Sequence, residues 1–202
     1  MSTVRSSLVA QFGNPRGVLG RLAGLIMVVR PSNRERNRRT LELLELTPGD
    51  RVLELGFGPG VSVQAAAARA AHVVGVDHSP LMLREAERRN ARAIAEGRVE
   101  LHLGSAERLP PLPGPFDKVL AVNVYMFWDE PAAVLREVRG QMRPGGTIAL
   151  TLQPRQRGAT RDDTTAAAER MTASLREAGF TAVRAEILEM QPGAAACALA
   201  RA

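Results

Sequence analysis

From residue 51 onward, short apolar runs alternate with longer stretches whose apolar residues recur at helical spacing. Apolar runs of four to eight residues bounded by turn residues suit strands buried on both faces, and the longer periodic stretches suit amphipathic helices. The pattern predicts strands at 51–55, 71–77, 98–103, 116–123 and 147–153, a sixth beginning at Gly179-Phe180, and a last at 194–201. Helices are predicted at 61–71, 80–96, 130–142 and 165–178, with Gly97 stopping the second and Pro131 opening the third. The run at 98–103 alternates, which places it near a sheet edge. Strand–helix alternation of this kind argues for an α/β fold, a parallel sheet covered by helices on both faces.

Upstream the pattern changes. Val18, Leu19, Leu22, Leu25, Ile26 and Val29 recur at helical spacing with Arg21 and Arg30 among them, and a further helix is predicted at 33–46, ended by Thr47-Pro48-Gly49-Asp50. Residues 1–40 carry eight arginines against one glutamate, whereas the remainder of the 202-residue chain is near neutral. The division expected is therefore a basic, partly helical lid or appendage over 1–40 and one domain over 41–202, a length that buries roughly 70% of its surface. The basic segment is expected either to pack over the domain with its arginines solvated or to cover a pocket and touch a membrane surface or anionic substrate. One cysteine, Cys197, and three scattered histidines exclude a disulfide framework and a metal site of ordinary spacing. No signal peptide or long apolar span is read, so a cytoplasmic or membrane-peripheral enzyme is expected.

The chemistry concentrates at the ends of the predicted strands. Glu54 precedes Gly56, Phe57, Gly58 and Gly60, three glycines at alternate positions that allow a tight turn and close approach of a ligand to the backbone. A dinucleotide fingerprint would need a third glycine at position 61, which is Val61. Asp77 ends the second strand 19 residues after Gly58, the place from which an acid reaches ribose hydroxyls. Tyr125, Phe127 and Trp128, three of seven aromatic residues, follow the fourth strand.

Glu-Leu-Gly-x-Gly-x-Gly over 54–60 resembles the nucleotide loop of class I S-adenosylmethionine (SAM) dependent methyltransferases. Asp77, the segment Gly104-Ser105-Ala106-Glu107-Arg108-Leu109-Pro110, the Phe116-Asp117 strand start and Arg143-Pro144-Gly145-Gly146 match that family in order, over about residues 45–202. The resemblance implies a Rossmann-like sheet with an antiparallel seventh strand and a methyl transfer by in-line displacement. It implies SAM as cofactor and S-adenosylhomocysteine as product. It implies a cofactor site at Glu54, Gly56, Phe57, Gly58, Gly60, Asp77, His78, Met82, Ser105, Ala106, Glu107 and Asn123. Glu54 is implied near the cofactor's ammonium and His78 at its adenine face. Ser105 replaces the family's aspartate, giving a neutral and weaker acceptor for the adenine amine.

Holding a methyl donor and acceptor together supplies roughly 7–11 kcal/mol of barrier lowering, so a dedicated base is not required. Tyr125 and His78 are the candidate catalytic groups, with Asp129 and His102 behind them, and Tyr125, Phe127 and Trp128 the candidate substrate-binding residues. A small-molecule or lipid-like acceptor is expected, no nucleic acid, no metal, and a homodimer is allowed. The alternatives are an RNA or protein methyltransferase held by the basic segment, or a non-catalytic SAM-binding module.

Overall fold

The computed structural model describes residues 31–156 and 158–202. The helix expected at 18–29, and with it most of the basic lid, lies outside the described residues. Seven strands form one sheet: β1 (Arg51–Leu55), β2 (His72–Asp77), β3 (Val99–Leu103), β4 (Phe116–Val122), β5 (Met142–Leu152), β6 (Thr181–Leu188) and β7 (Ala195–Arg201). Their order is β3-β2-β1-β4-β5-β7-β6. β7 runs antiparallel to both neighbours, and the other pairs are parallel. This is the Rossmann-like architecture with an antiparallel seventh strand. β3 lies at the edge, as its alternation requires, and Leu103 at its end is half exposed.

The helices are α1 (Pro31–Leu43), α2 (Val61–Ala67), α3 (Pro80–Ala95), α4 (Pro131–Gly140) and α5 (Arg161–Glu177). Side chains alternate across each strand, so β1 sends Val52 to one face and Leu53 and Leu55 to the other. α1, α2 and α3 cover the first face through Leu41, Leu44, Val63, Ala66 and Ala86. α4 and α5 cover the second through Leu135, Val138, Met171 and Leu175. With few aromatics in the chain, β7 contributes Ala195, Ala196, Ala198 and Ala200, all fully or almost fully buried.

α1 runs across residue 40 and packs on the sheet. Leu41 and Leu44 are each 1% exposed, and burying two such side chains contributes about 3–6 kcal/mol. The ion pairs of Arg38 with Glu35 and Glu42 are exposed and screened by water, so they add little. Burial, not surface charge, therefore holds α1. Two elements depart from expectation. α5 begins at Arg161 rather than 165, because Thr160 and Asp163 close a reciprocal capping box. β5 begins at Met142, whose pairing with Phe116 precedes a bulge, so Arg143–Gly146 lies within the strand.

Candidate active site

The strand order reverses at β1, which has β2 on one side and β4 on the other. Open α/β sheets bind ligands at such a switch, outside the carboxyl ends of the strands. There the turn after β1 takes a left-handed backbone at Gly56, Gly58 and Gly60, with φ of 70°, 52° and 74°. The Gly56 N–H donates to the Val76 carbonyl at 2.7 Å, which ties the turn to β2. A Cβ on Gly56 would lie 2.1 Å from Val124 Cγ1, and one on Gly60 would lie 2.7 Å from Asn90 Nδ2. A Cβ on Gly58 would meet nothing within 4 Å. Two glycines thus permit packing, and the middle one borders open space.

A cavity of ≈ 270 Å³ opens beside this turn, lined by Gly56, Val76, Asp77, His78, Gly104, Ser105, Ala106, Glu107, Val124, Phe127 and Trp128. Six of the residues expected to hold a cofactor are among them: Gly56, Asp77, His78, Ser105, Ala106 and Glu107. Asp77 joins the two strand ends. Its Oδ2 accepts the Gly58 N–H at 2.8 Å and its Oδ1 the Ser79 N–H at 2.9 Å. Burial pushes its carboxyl above the ordinary aspartate value against those two bonds. Ser79, not Asp77, caps α3 by accepting the Met82 N–H. His78 is half exposed, with Nδ1 3.9 Å from Asp77 Oδ1.

The other expected cofactor residues, Glu54, Phe57, Gly58, Gly60, Met82 and Asn123, are not in the lining itself. Asn123, at φ 58°, donates its N–H to Thr151 O at 2.7 Å and accepts the Gln153 N–H through Oδ1 at 2.9 Å. It turns the chain out of β4, and Val124 next to it enters the lining. Two side chains are corrected. Phe57 is 3% exposed and packs in the core beneath Gly75, and Met82 is buried under the start of α3.

Tyr125 is corrected as well. Its hydroxyl donates to Arg170 O at 3.2 Å and lies 2.9 Å from Ser174 Oγ, so the ring points to α5 and braces Trp128 edge-on. It shapes the wall through Trp128 and does not face the cavity. Phe127 and Trp128 do line it, in the same cavity as Asp77 and Glu107 rather than in a separate acceptor pocket. Val76 and Val124 were not expected in the lining. The short 3₁₀ turn Tyr125–Phe127 that exposes this wall carries no periodic signal.

Glu54 lies beneath the turn, 2% exposed. Ser62 Oγ donates to its Oε1, and its Oε2 has no partner. Burial pushes its carboxyl up to about 7, with the Asp77 charge adding to the rise. The folded state therefore holds a proton that the unfolded chain has released. Stability from this group is full below the ordinary glutamate value of 4.5 and is lost as pH rises through about 7. The loss is bounded by about 3 kcal/mol. Glu54→Gln keeps an acceptor for Ser62 and removes the titration. Its unfolding free energy should be flat from about pH 5 to about pH 8 where the natural chain declines. Parallel slopes in denaturant titrations would refute the assignment.

A methyltransferase domain model matches residues 52–146. An uncharacterized methyltransferase of Bacillus subtilis (strain 168), YdaC, is 35% identical over 183 residues, 89% of this chain and 97% of its own. The chain belongs to the SAM-dependent class I methyltransferase family. The ribosomal protein L11 methyltransferase of Thermus thermophilus and the arsenite methyltransferase of Halobacterium salinarum match over 44% and 28% of their own length. N-methyltransferase NodS from Bradyrhizobium japonicum WM9, solved with S-adenosyl-L-homocysteine, superposes with a TM-score of 0.70 at 17% identity, over 87% of this chain and 89% of that one. The [4+2]-cyclase SpnF superposes with a TM-score of 0.68 at 20% identity, over 84% and 81%. Those two likenesses concern the fold, which serves more than one chemistry.

The chemistry of this methyltransferase's site fits its cofactor. The unpartnered, buried Glu54 Oε2 would be satisfied by an ammonium, whose charge would draw off the proton that burial keeps on the carboxyl. Asp77 retains lone pairs toward the cavity after its two backbone bonds. Among the described residues no cluster of side chains could hold a metal ion, and no helix is long and apolar enough to cross a membrane.

Proposed function

We propose that this methyltransferase moves a methyl group from SAM to a small-molecule or lipid-like acceptor. The observation that carries the reading is the pairing of a clamped Asp77 and an unpartnered Glu54 carboxyl on either side of one glycine turn. Asp77 would hold ribose hydroxyls, Glu54 the ammonium, and His78, Ala106 and Phe127 the adenine faces. Bound SAM supplies a methyl already activated on a sulfonium. The residues of the chain then need only orient it and exclude water, which Val124 and Trp128 do from the β4 side. With His78 on adenine, the acceptor is assigned no base, in keeping with a methyl that is already activated.

An apolar acceptor is supported by where the exposed large hydrophobics lie. Leu103, Met126 and Phe127 adjoin or line the cavity. Transfer of label from methyl-labelled SAM into a host extract separated into lipid, polar metabolite, protein and RNA tests the reading. Label in lipid or polar metabolite is expected. Label in protein or RNA would replace the acceptor class, and SAM binding without label in any fraction would favour a binding module.

Adenine recognition makes a separate test. Ser105 Oγ accepts the Glu107 N–H at 3.1 Å, and Glu107 Oε1 accepts the Asp129 N–H at 3.0 Å. Glu107 therefore brings to the cavity the carboxylate that position 105 lacks. Ser105→Asp should tighten SAM binding by up to about tenfold, since a charged acceptor exceeds a neutral one by about 1 kcal/mol or more. An unchanged affinity, with a loss on Glu107→Gln, would assign the adenine contact to Glu107.

A further inference from the structure

At the carboxyl ends of β4 and β5 a side chain takes over from the main chain. The two strands pair in parallel up to Val122 opposite Thr151, and the Asn123 N–H still donates to Thr151 O at 2.7 Å. In a parallel ladder the next bond would run from the Gln153 N–H to the Asn123 carbonyl. The Gln153 N–H donates instead to Asn123 Oδ1 at 2.9 Å. The side-chain amide stands in for the carbonyl of its own residue, so the ladder gains one bond while the backbone leaves it. That departure takes Asn123 to φ 58°, a left-handed conformation that asparagine tolerates better than most residues. Val124 follows at once and lines the cavity, so close to Gly56 that a Cβ there would lie 2.1 Å from its Cγ1.

Gln153 is held as firmly as the corner it supports. Its side chain is buried; Oε1 accepts from Arg36 Nη1 at 2.7 Å, and Nε2 donates to Gly193 O. α1 and the segment before β7 thus converge on one amide at the end of β5. Arg36 is itself 3% exposed, and its hydrogen bonds go to the amide oxygens of Gln153 and Asn33, with no carboxylate among them. A cation buried without a counter-ion is costly. Fastening α1 to the sheet does not require it, because Leu41 and the paired hydroxyls of Thr40 and Thr151 do so without charge. Costly or strained local arrangements persist where the surroundings over-determine them, and they cluster at ligand sites.

We propose that Asn123 and Gln153 are positioning residues of the methyltransferase site, gripped from α1 by Arg36, and that they set the Val124 wall against the glycine turn that receives SAM. Neither is in the cavity lining, and both act through Val124. A shift of the Asn123 corner passes to Val124 and, through its contact with Gly56, to the turn. The inference rests on the methyltransferase reading and extends it to the β4 side of the site.

Calorimetric titration with SAM, a denaturant melt and the emission of Trp128, the chain's one tryptophan and part of the cavity wall, test this on the full chain. Asn123→Asp keeps an oxygen for the Gln153 N–H and should bind SAM within about twofold of the natural chain. Asn123→Gly adopts the corner freely but has no oxygen to offer. It should bind SAM about tenfold more weakly per folded molecule, a fraction of the loss expected for a 1 Å misplacement, and shift the Trp128 emission. Arg36→Met exchanges the buried cation for an apolar side chain and should keep most of the stability, yet weaken SAM to a similar extent. A purely structural role predicts the reverse, with stability lost in each variant and natural affinity in every folded molecule. That result, or equal weakening in Asn123→Asp and Asn123→Gly, would overturn the proposal while leaving SAM binding intact. If Asn123→Gly does not fold, Arg36→Met decides: natural affinity overturns the proposal and weakened affinity supports it. Failure of the natural chain to bind SAM would overturn the methyltransferase reading itself.

Discussion

Gly56→Ala is expected to abolish measurable cofactor binding and to lower the melting temperature. The substituted residue would have to hold φ 70°, a backbone region that costs about 1–3 kcal/mol outside glycine. The new Cβ would also lie 2.1 Å from Val124 Cγ1 and 3.1 Å from Val124 Cβ. Rotating Val124 relieves the first contact and not the second, so the backbone has to move. It is pinned on the other side by the 2.7 Å bond from the Gly56 N–H to Val76 O. The turn and the start of the β4 loop are therefore pushed apart across the cavity. A displacement near 1 Å at such a site costs about 100-fold in rate. Gly58→Ala is the internal control, because its Cβ meets nothing within 4 Å. It should fold with only the conformational penalty and lose affinity through cavity space alone. Calorimetric titration with SAM and a thermal melt on both variants decide the matter. Gly56→Ala binding like the natural chain would show that the turn does not form the site.

The glycine turn was legible because it is a local matter. Three alternate glycines imply the left-handed conformations found at all three positions. The parallel sheet was legible from apolar runs that are buried on both faces, and its antiparallel seventh strand from the family resemblance. What escaped was decided by tertiary placement. Tyr125 sits among aromatics at a strand end, and only the position of Arg170 and Ser174 on α5 shows that its hydroxyl turns away from the cavity. Phe57 lies inside the loop motif, yet the space over Gly75 draws its ring into the core. Arg36 was counted within the basic segment and not singled out, because hydrophobic periodicity counts every arginine as polar. Its spacing held a clue: Arg36 and Thr40 lie four residues apart on the buried face of α1, in line with the buried Leu44 just beyond its end. The start of α5 was written in Thr160-x-x-Asp163, a capping signal within a segment that otherwise has no apolar pattern.

Asp77→Ala should cost more than a lost ribose contact. The carboxylate is 6% exposed and accepts the Gly58 and Ser79 N–H groups, one on each oxygen. Removing it leaves two backbone donors without acceptors, at about 1–3 kcal/mol for each that is shut off from water. Ser79 is fully buried, so its donor bears the full penalty. Gly58 borders open space, so water can take its donor, but the turn is then no longer tied to the end of β2. Stability and affinity therefore fall for different reasons at the two ends of one side chain. Affinity for SAM should fall about 100-fold or more, the sum of a charged hydrogen bond and a loosened turn. Asp77→Asn separates the contributions. Its amide can accept from only one of the two N–H groups and presents N–H to the other, so it should recover little stability despite its matching size. If Asp77→Asn restored both unfolding free energy and SAM affinity, the charge would be irrelevant and the ribose assignment would fall. If it restored stability alone, the carboxylate would be a cofactor ligand and not a strut. The geometry predicts that neither is restored, because the same two oxygens serve the fold and the site.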